Sequence, residues 1–183
     1  MEVAWQAIEN AGLTQEQIDG MRAGIFMGLF SSDYRELLFS RERETLDIYN
    51  EIGSTRSSVA GRLAHAFNLT GPTFALDAAC ASSLVAIHLG VQSICSGETS
   101  MVLAGGSNVI LKPEPSVCFS RSGMLSPDSR CQFGDANANG FVRSEGFGVV
   151  VLKSLEQAIA DQDTIYSVIH ATACNNDARQ GQG

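Results

Sequence analysis

The sequence contains no uninterrupted run of about 18 apolar residues, the length that a membrane-spanning helix needs. It has no CxxC pair, and His65, His88 and His170 do not stand at spacings typical of zinc ligands. Lys and Arg number only 12 against 20 Asp and Glu, and the resulting net charge of −8 counts against nucleic acid, because phosphate contacts need clustered cations. We therefore expect no membrane span, no metal site and no nucleic-acid partner.

Cysteine pairing is also not indicated, because the cysteine count is odd, at five, and no secretory leader pattern opens the chain. These features predict reduced thiols in a cytoplasmic protein. The 183 residues are 44% hydrophobic and 17% charged, which suits one globular domain or a large piece of one.

Apolar runs and amphipathic stretches alternate along the chain, which is typical of a layered α/β domain with buried, mainly parallel strands. Strands are predicted at 23–30, 72–77, 100–111 (interrupted by its Gly-Gly pair) and 164–177, and a strand followed by a helix at 146–162. Helices are predicted at 1–11, 14–18, 31–44, 54–70 and 81–95. The helix at 81–95 is apolar nearly all round, which predicts burial at the centre of the fold. Residues 112–144 and 175–183 have the composition of loops.

Cys80 stands where the strand at 72–77 passes into the helix that begins at about Ala81, and its neighbours are small. The unpaired N–H groups and partial positive charge of a helix start would stabilise a thiolate there. The same N–H groups could donate to an oxyanion when a thioester carbonyl is attacked, so the pattern predicts an acyl-accepting nucleophile. The local pattern equally allows a small buried hydrophobic residue at a crowded helix start. His88 lies about two helical turns beyond Cys80 and is interpreted as a packed core histidine.

The segment "GPTFALDAACASSLVAIHLG" resembles the active-site segment of β-ketoacyl synthase domains of polyketide synthases, which are related to those of fatty acid synthases. The resemblance continues in order along nearly the whole chain, through "EVAWQAIENAGL", "AGIFMGLFSSDY", "SSVAGRLAHAFNLTGP", "LAGGSNVIL", "SRSGMLSPDSRCQFGDANANGFVRSEGFGVVVLKSLEQAIADQD" and "IHATACNND". It implies a thiolase-like layered αβαβα fold. Residues 1–183 would form the N-terminal part of one such domain.

The resemblance also implies an activity. Cys80 would accept an acyl chain from the phosphopantetheine thioester of an acyl carrier protein, and a malonyl-type extender would then lose CO₂ and attack the acyl-cysteine. No cofactor would be bound directly. The expected partners are the carrier protein, other domains of a multienzyme synthase and a second copy in a homodimer. The family's histidine motifs, one of them HGTGT-like, do not occur before Gly183, so we expect the C-terminal half with those histidines to be absent and this stretch alone not to condense.

Some positions depart from the family pattern. Ala78 and Ala81 replace residues that usually carry hydroxyl groups, which predicts altered packing or hydrogen bonding at the joint, and Ser129 stands where glycine is common. Two alternatives stay open. One is a thiolase-like or ketoacyl-synthase-III-like acyltransferase on CoA esters, and the other is a non-catalytic dimerisation or scaffold fragment.

Overall fold

The structure, a computed structural model, describes residues 1–176. Its chain forms two compact units. The first unit contains residues 1–30, 55–106 and 147–176, and the second unit contains residues 31–54 and 107–146. The part of the C-terminal loop expected at 177–183 lies outside the described residues.

The helices, in chain order, are α1 (Glu2–Asn10), α2 (Gln15–Ile18), α3 (Asp33–Phe39), α4 (Ile48–Ser54), α5 (Ser57–Phe67), α6 (Ser82–Cys95), α7 (Glu114–Arg121) and α8 (Leu155–Ala160). The strands are β1 (Ala23–Leu29), β2 (Thr73–Leu76), β3 (Met101–Asn108) and β4 (Gly146–Lys153). Short 3₁₀ turns occur at Arg43–Thr45 and Ala79–Ala81. The alternation of strands and helices predicted from the sequence is confirmed for all these elements except α4 and α7, which were not predicted.

The four strands form one mixed sheet in the order β2-β1-β3-β4. β1 and β2 pair in parallel, with Gly28 opposite Leu76 near their carboxyl ends. All seven residues of β1 are buried, as the continuous apolar run at 23–30 predicts. The carboxyl ends of β1 and β2 therefore lie side by side.

Alternate residues of the central strands face two different helical layers. Ile25 of β1 and Leu103 of β3 share a buried cluster with residues of α1 and α5. Phe26 and Val102 instead share a cluster with Ala86 of α6. Because successive side chains of a strand point to opposite faces, α6 covers one face of the sheet while α1 and α5 cover the other. These helix, sheet and helix layers agree with the layered α/β fold that the sequence predicts.

The prediction that α6 is buried on every side is wrong for this chain. Its buried residues are small and recur along one face: Ser82, Ala86, Gly90 and Ser93. Leu84 is 69% exposed and Leu89 is 37% exposed. Small side chains let this helix approach the sheet closely, and at Gly90 a Cβ would be 2.8 Å from Val102 Cγ1. The small residues therefore lie closest to the sheet, Ile87 and Ile94 pack beside them, and Leu84 lies on the face that the described residues leave exposed.

Three further expectations are corrected by the structure. The region 112–144 contains the helix α7, which starts with Pro113 as its N-cap. The Gly105-Gly106 pair does not interrupt β3, because the missing side chain of Gly105 admits the Gly148 carbonyl oxygen of β4. No strand forms at residues 164–176. An apolar run specifies a strand only when a neighbouring strand pairs with it, and no strand among the described residues pairs with this one.

The second unit is held by side-chain contacts to the backbone and by ion pairs. Asp33 is buried, and its Oδ2 accepts hydrogen bonds from the N–H groups of Leu111 and Lys112, each at 3.1 Å. Arg35 donates from one nitrogen to both carboxylate oxygens of Glu51, at 3.0 and 2.8 Å. These contacts join the α3–α4 segment of this unit to its 107–146 segment and α3 to α4.

The serine at position 129 adopts a backbone conformation that favours glycine. Its φ is +53°, in the left-handed region that residues with a Cβ rarely enter. We expect Ser129→Gly to stabilise the protein by about 1 kcal/mol, since this conformation costs an L-residue about that much. Urea unfolding with a probe in the second unit would measure this change in the free energy of unfolding. Ser120→Gly in α7 is the control and should be destabilising. An unchanged or lower urea midpoint for Ser129→Gly would contradict the prediction that the backbone of Ser129 is strained.

Candidate active site

Cys80 lies in the short connection between β2 and α6. The strand ends at Leu76, the 3₁₀ turn covers Ala79–Ala81, and the helix begins at Ser82. The predicted passage from strand to helix at this cysteine is confirmed. Cys80 is a free, exposed cysteine, which argues against its interpretation as a buried packing residue.

The residue directly before Cys80 has a strained backbone. Ala79 has a φ of +49°, although its methyl group disfavours the left-handed region by about 1–2 kcal/mol. Strained residues of this kind persist only where their surroundings hold them. The sharp turn that results lets the chain reverse from β2 into α6 within a few residues.

Four polar contacts hold the backbone on both sides of this strained residue. The N–H of Ala79 donates to Asp77 Oδ1 at 3.0 Å. The hydroxyl of Ser82 accepts from the N–H of Ala78 at 2.8 Å and donates to the carbonyl oxygen of Ala79 at 2.7 Å. The N–H of Ala81 also donates to the Ala78 carbonyl oxygen at 3.1 Å. Since Ser82 is buried, its hydroxyl is a fixed element of the turn.

A charged side chain braces the same turn from α5. Arg56 Nη1 contacts Asp77 Oδ2 at 2.5 Å, and Arg56 Nη2 donates to the carbonyl oxygen of Phe30 at 2.8 Å. Phe30 follows the end of β1, and Asp77 follows the end of β2. The guanidinium therefore connects the carboxyl ends of two adjacent parallel strands.

Two glycines allow the start of α6 to lie directly on the sheet. A Cβ on Gly28 of β1 would stand 2.5 Å from the carbonyl carbon of Ser82 and 2.7 Å from the nitrogen of Ser83. A Cβ on Gly106 of β3 would stand 3.1 Å from the Ser83 Cβ. Because the atoms opposite Gly28 belong to the backbone, this contact fixes the height of the helix start above the sheet.

The start of α6 follows directly on the 3₁₀ turn, which uses two of the N–H groups there: that of Ala81 donates to the Ala78 carbonyl oxygen, and that of Ser82 donates to the Ala79 carbonyl oxygen. The N-cap residue is Ala81, whose side chain supplies no capping hydrogen bond. The first N–H groups of a helix lack partners within the helix and carry a partial positive charge. Cys80 immediately precedes this N-cap, so its thiol lies at the amino end of a 14-residue helix.

The histidines have no contact with this site among the described residues. His88 Nδ1 lies 2.8 Å from Thr172 Oγ1 and is half-buried, so it packs within the first unit, as interpreted from its position in the helix. His65 and His170 are exposed. The structure therefore brings Asp77, Ser82 and Arg56 to the turn that carries Cys80, and no histidine.

Within residues 1–176, no group of three or more His, Cys, Asp or Glu side chains is arranged to hold a metal ion. No helix in the same range has the length and apolar character to cross a membrane.

Comparison with known proteins places this turn in a family. Residues 1–158 match the family described as the N-terminal domain of β-ketoacyl synthase. The chain belongs to the β-ketoacyl synthase family. The resemblance of the Cys80 segment and of the motifs around it is thereby confirmed at the level of the family.

Its relatives include large polyketide synthases. The chain is 45% identical over 179 residues to the highly reducing polyketide synthase dmxL2 of Cryptosporiopsis sp. (strain 8999), covering 98% of this chain and 7% of that synthase. It is 46% identical over 179 residues to a phenolphthiocerol/phthiocerol polyketide synthase of Mycobacterium tuberculosis (strain CDC 1551 / Oshkosh), covering 98% of this chain and 10% of that synthase polypeptide. The chain thus spans a small fraction of each of these relatives.

A solved structure shows the same fold. The ketosynthase from module 6 of the bacillaene synthase from Bacillus subtilis 168 superposes with a TM-score of 0.88 at 35% identity. The match covers 99% of this chain and 30% of the ketosynthase chain. The thiolase-like layered fold predicted from the sequence is confirmed by this likeness.

The turn keeps one hydroxyl group that contacts its backbone, that of Ser82. Ala78 and Ala81 cannot make side-chain hydrogen bonds, and the sequence predicts altered bonding at the turn for that reason. In the structure, Ser82 bonds to the backbone of Ala78 and Ala79. One hydroxyl therefore contacts the Asp77–Ala78 peptide and the Ala79–Cys80 peptide.

Sequence reasoning identified Cys80 but missed three residues of its turn. Asp77 carried a detectable signal, because an Asp after a strand often accepts a hydrogen bond from the backbone two residues later. Ser82 carried a similar local signal, since Ser side chains bond to nearby backbone groups. Arg56 carried none, because 21 residues separate it from Asp77.

Proposed function

We propose that this chain is the acyl-accepting part of a polyketide-type β-ketoacyl synthase and that Cys80 is its nucleophile. The observation that carries the proposal is the placement of an exposed, free cysteine at a strained strand-to-helix turn, directly before the start of α6. Membership of the β-ketoacyl synthase family supports the same assignment.

The proposed first step is an acyl transfer. The thiolate of Cys80 attacks the carbonyl carbon of an acyl thioester and forms a new C–S bond. The tetrahedral intermediate then breaks its bond to the phosphopantetheine sulfur, which leaves as a thiolate and takes a proton from water. The partial positive charge at the start of α6 is suited to stabilise negative charge near this sulfur during the step. Small neighbours around Cys80 leave room for the acyl chain.

The proposed second step belongs to the complete synthase. A malonyl-type thioester loses CO₂, and the resulting enolate carbon attacks the acyl-cysteine carbonyl, which releases the Cys80 thiolate and gives a β-ketoacyl thioester. The resemblance assigns help in decarboxylation to histidines in motifs that the 183 residues do not contain. We therefore propose that this stretch alone accepts an acyl group and does not condense. Release of CO₂ from malonyl carrier protein, abolished by Cys80→Ala, would contradict that.

The setting of this activity follows from the relatives. We propose that residues 1–183 are the N-terminal part of a ketosynthase domain in a cytoplasmic multienzyme synthase. An acyl carrier protein would deliver the substrate, other synthase domains would flank the ketosynthase, and two copies would form a homodimer. The relatives are named as polyketide synthases, which supports the proposal that the chain is part of a multienzyme synthase.

We expect acyl loading at Cys80 alone. Incubation with acyl thioesters of a carrier protein should add one acyl mass, and peptide mapping should place it on Cys80, because the other cysteines lack this helix-start environment. Cys80→Ala should abolish the added mass. The internal controls are the four other exposed cysteines: Cys95, Cys118, Cys131 and Cys174.

Other outcomes of this experiment would favour the alternatives. Loading from acyl-CoA but not from carrier-protein thioesters would favour a thiolase-like acyltransferase. Equal labelling of all five cysteines, or no labelling of a folded chain, would refute the nucleophile assignment and favour a scaffold role.

A further inference from the structure

We infer that Arg56 is a positioning residue for Cys80, acting through the carboxylate of Asp77 and the backbone of Ala79. The inference rests on the proposed function of Cys80 as an acyl acceptor. It concerns a residue that does not touch the reacting sulfur and that no local sequence pattern points to.

Arg56 contacts two elements at once and does not form an isolated ion pair. Its two terminal nitrogens contact different elements: Nη1 reaches Asp77 Oδ2 at 2.5 Å, and Nη2 reaches the Phe30 carbonyl oxygen at 2.8 Å. The planar guanidinium holds its donors in a fixed fork, so both contacts are set by one group. Since Phe30 directly follows β1, the two contacts connect Asp77 to a strand whose residues are all buried.

Asp77 connects Arg56 to the strained residue, Ala79. While Oδ2 contacts Arg56, Oδ1 accepts the hydrogen bond from the N–H of Ala79 at 3.0 Å. Without Arg56, the carboxylate could rotate into solvent and leave that N–H without its acceptor. Ala79, at φ +49°, would then be free to relax toward negative φ. Such a change would swing the following peptide and move Cys80 relative to the start of α6.

The position of Arg56 on its own helix supports this interpretation. Arg56 is the N-cap residue of α5, where a cation is disfavoured by the partial positive charge of the helix start. No acidic residue occurs in the first turn of α5 to compensate. An arginine here weakens its helix, so its contacts to Asp77 and Phe30 are the favourable interactions that account for it.

The same ion pair offers little to global stability. The side chains of Arg56 and Asp77 are 43% and 36% exposed, and exposed ion pairs contribute little to the free energy of unfolding. Removing the guanidinium should therefore leave the chain folded. Its effect should be confined to the turn that carries Cys80.

The test compares Arg56→Met, Arg56→Lys and the original chain, with Arg62→Met, an exposed arginine of the same helix, as the control. Two rates are measured for Cys80: loading from an acyl thioester of N-acetylcysteamine, a phosphopantetheine mimic, and alkylation by iodoacetamide. The alkylation rate of Cys118 in α7 is the internal reference, and urea unfolding reports on stability.

We expect Arg56→Met to slow loading at Cys80 by about tenfold or more, because misplacing a reacting group by an ångström can cost about 100-fold. Arg56→Lys should restore part of the rate, since an ammonium can contact Asp77 but lacks the fork. Arg62→Met, the Cys118 rate and the unfolding midpoint should not change. The losses of loading rate in Arg56→Met and in Asp77→Asn should not be additive in the double variant, because both substitutions break the same series of contacts from Arg56 through Asp77 to Ala79.

Either of two results would overturn the inference. One is that the acyl-loading rate and the alkylation rate of Cys80 are both unchanged in Arg56→Met. The other is a parallel fall in the Cys80 rate, the Cys118 rate and the unfolding midpoint, which would make Arg56 merely structural. If the original chain is alkylated but accepts no acyl group, the proposed function fails, and the alkylation rates of Cys80 still decide the role of Arg56.

Discussion

Replacing Gly28 by alanine is expected to displace Cys80 without touching it. The new Cβ would stand 2.5 Å from the Ser82 carbonyl carbon and 2.7 Å from the Ser83 nitrogen, and these backbone atoms can move only if α6 lifts from the sheet. Overpacking of this kind costs about 1–3 kcal/mol. Acyl loading at Cys80 should fall by about 100-fold, as expected for ångström-scale misplacement. Mass spectrometry of loading, beside urea unfolding, measures both effects.

Gly61→Ala in α5 is the matched control for this variant. No atom lies within 4 Å of the Cβ that it would add, and its φ is not positive. Alanine in a helix interior is favoured over glycine by about 0.5–1 kcal/mol, so this control should be slightly more stable and should load normally. Normal loading by a folded Gly28→Ala chain would show that this contact does not set the position of the helix start.

The second large effect is expected at Gly105 in the sheet itself. A Cβ there would stand 2.1 Å from the Gly148 carbonyl oxygen and 3.0 Å from Val149 Cα, so β3 and β4 could not keep their present spacing. Gly105→Ala should destabilise the first unit by at least about 1–3 kcal/mol. For a chain of this size, each kcal/mol lowers Tm by about 2–4 °C. Differential scanning calorimetry would record the fall.

The partner glycine in β4 supplies the control for Gly105. Gly148 has no atom within 4 Å of its own added Cβ, although its carbonyl oxygen is the atom that Gly105→Ala would strike. Gly148→Ala should therefore leave Tm nearly unchanged. Equal falls in Tm for the two variants would mean that strand propensity, and not the close approach of β3 to β4, decides the outcome.

The sequence was sufficient to locate Cys80 because the change from strand to helix periodicity is local. The apolar run of β1 and the amphipathic spacing of α5 were likewise predictable from consecutive residues. The helix α7 was missed because it is only eight residues long, carries a proline in its first turn and lies in a region rich in Ser, Asn and Asp. The strand expected at 164–177 was wrong over the described residues 164–176, because strand formation also needs a pairing neighbour, which periodicity does not report.

The rest of the candidate site depends on contacts between residues that are distant in the sequence. Arg56 meets Asp77 across 21 residues, and Gly28 meets Ser82 across 54. Neither pair leaves a spacing pattern in the chain. The sequence could therefore predict the strand-to-helix turn at Cys80, while the side chains that contact this turn are found only once β1, β2, α5 and α6 are packed together.

Helix α6 separates two properties that usually coincide, hydrophobicity and intolerance to substitution. Its polar or side-chain-poor positions, such as Ser82, Ser93 and Gly90, press against the sheet, while Leu84 is largely exposed. A ranking of its residues by hydrophobicity would mark the leucine as indispensable and the serines as replaceable. Among the described residues the closest contacts fall instead on the small positions, because size, and not polarity, determines how near the helix and its cysteine come to the strands.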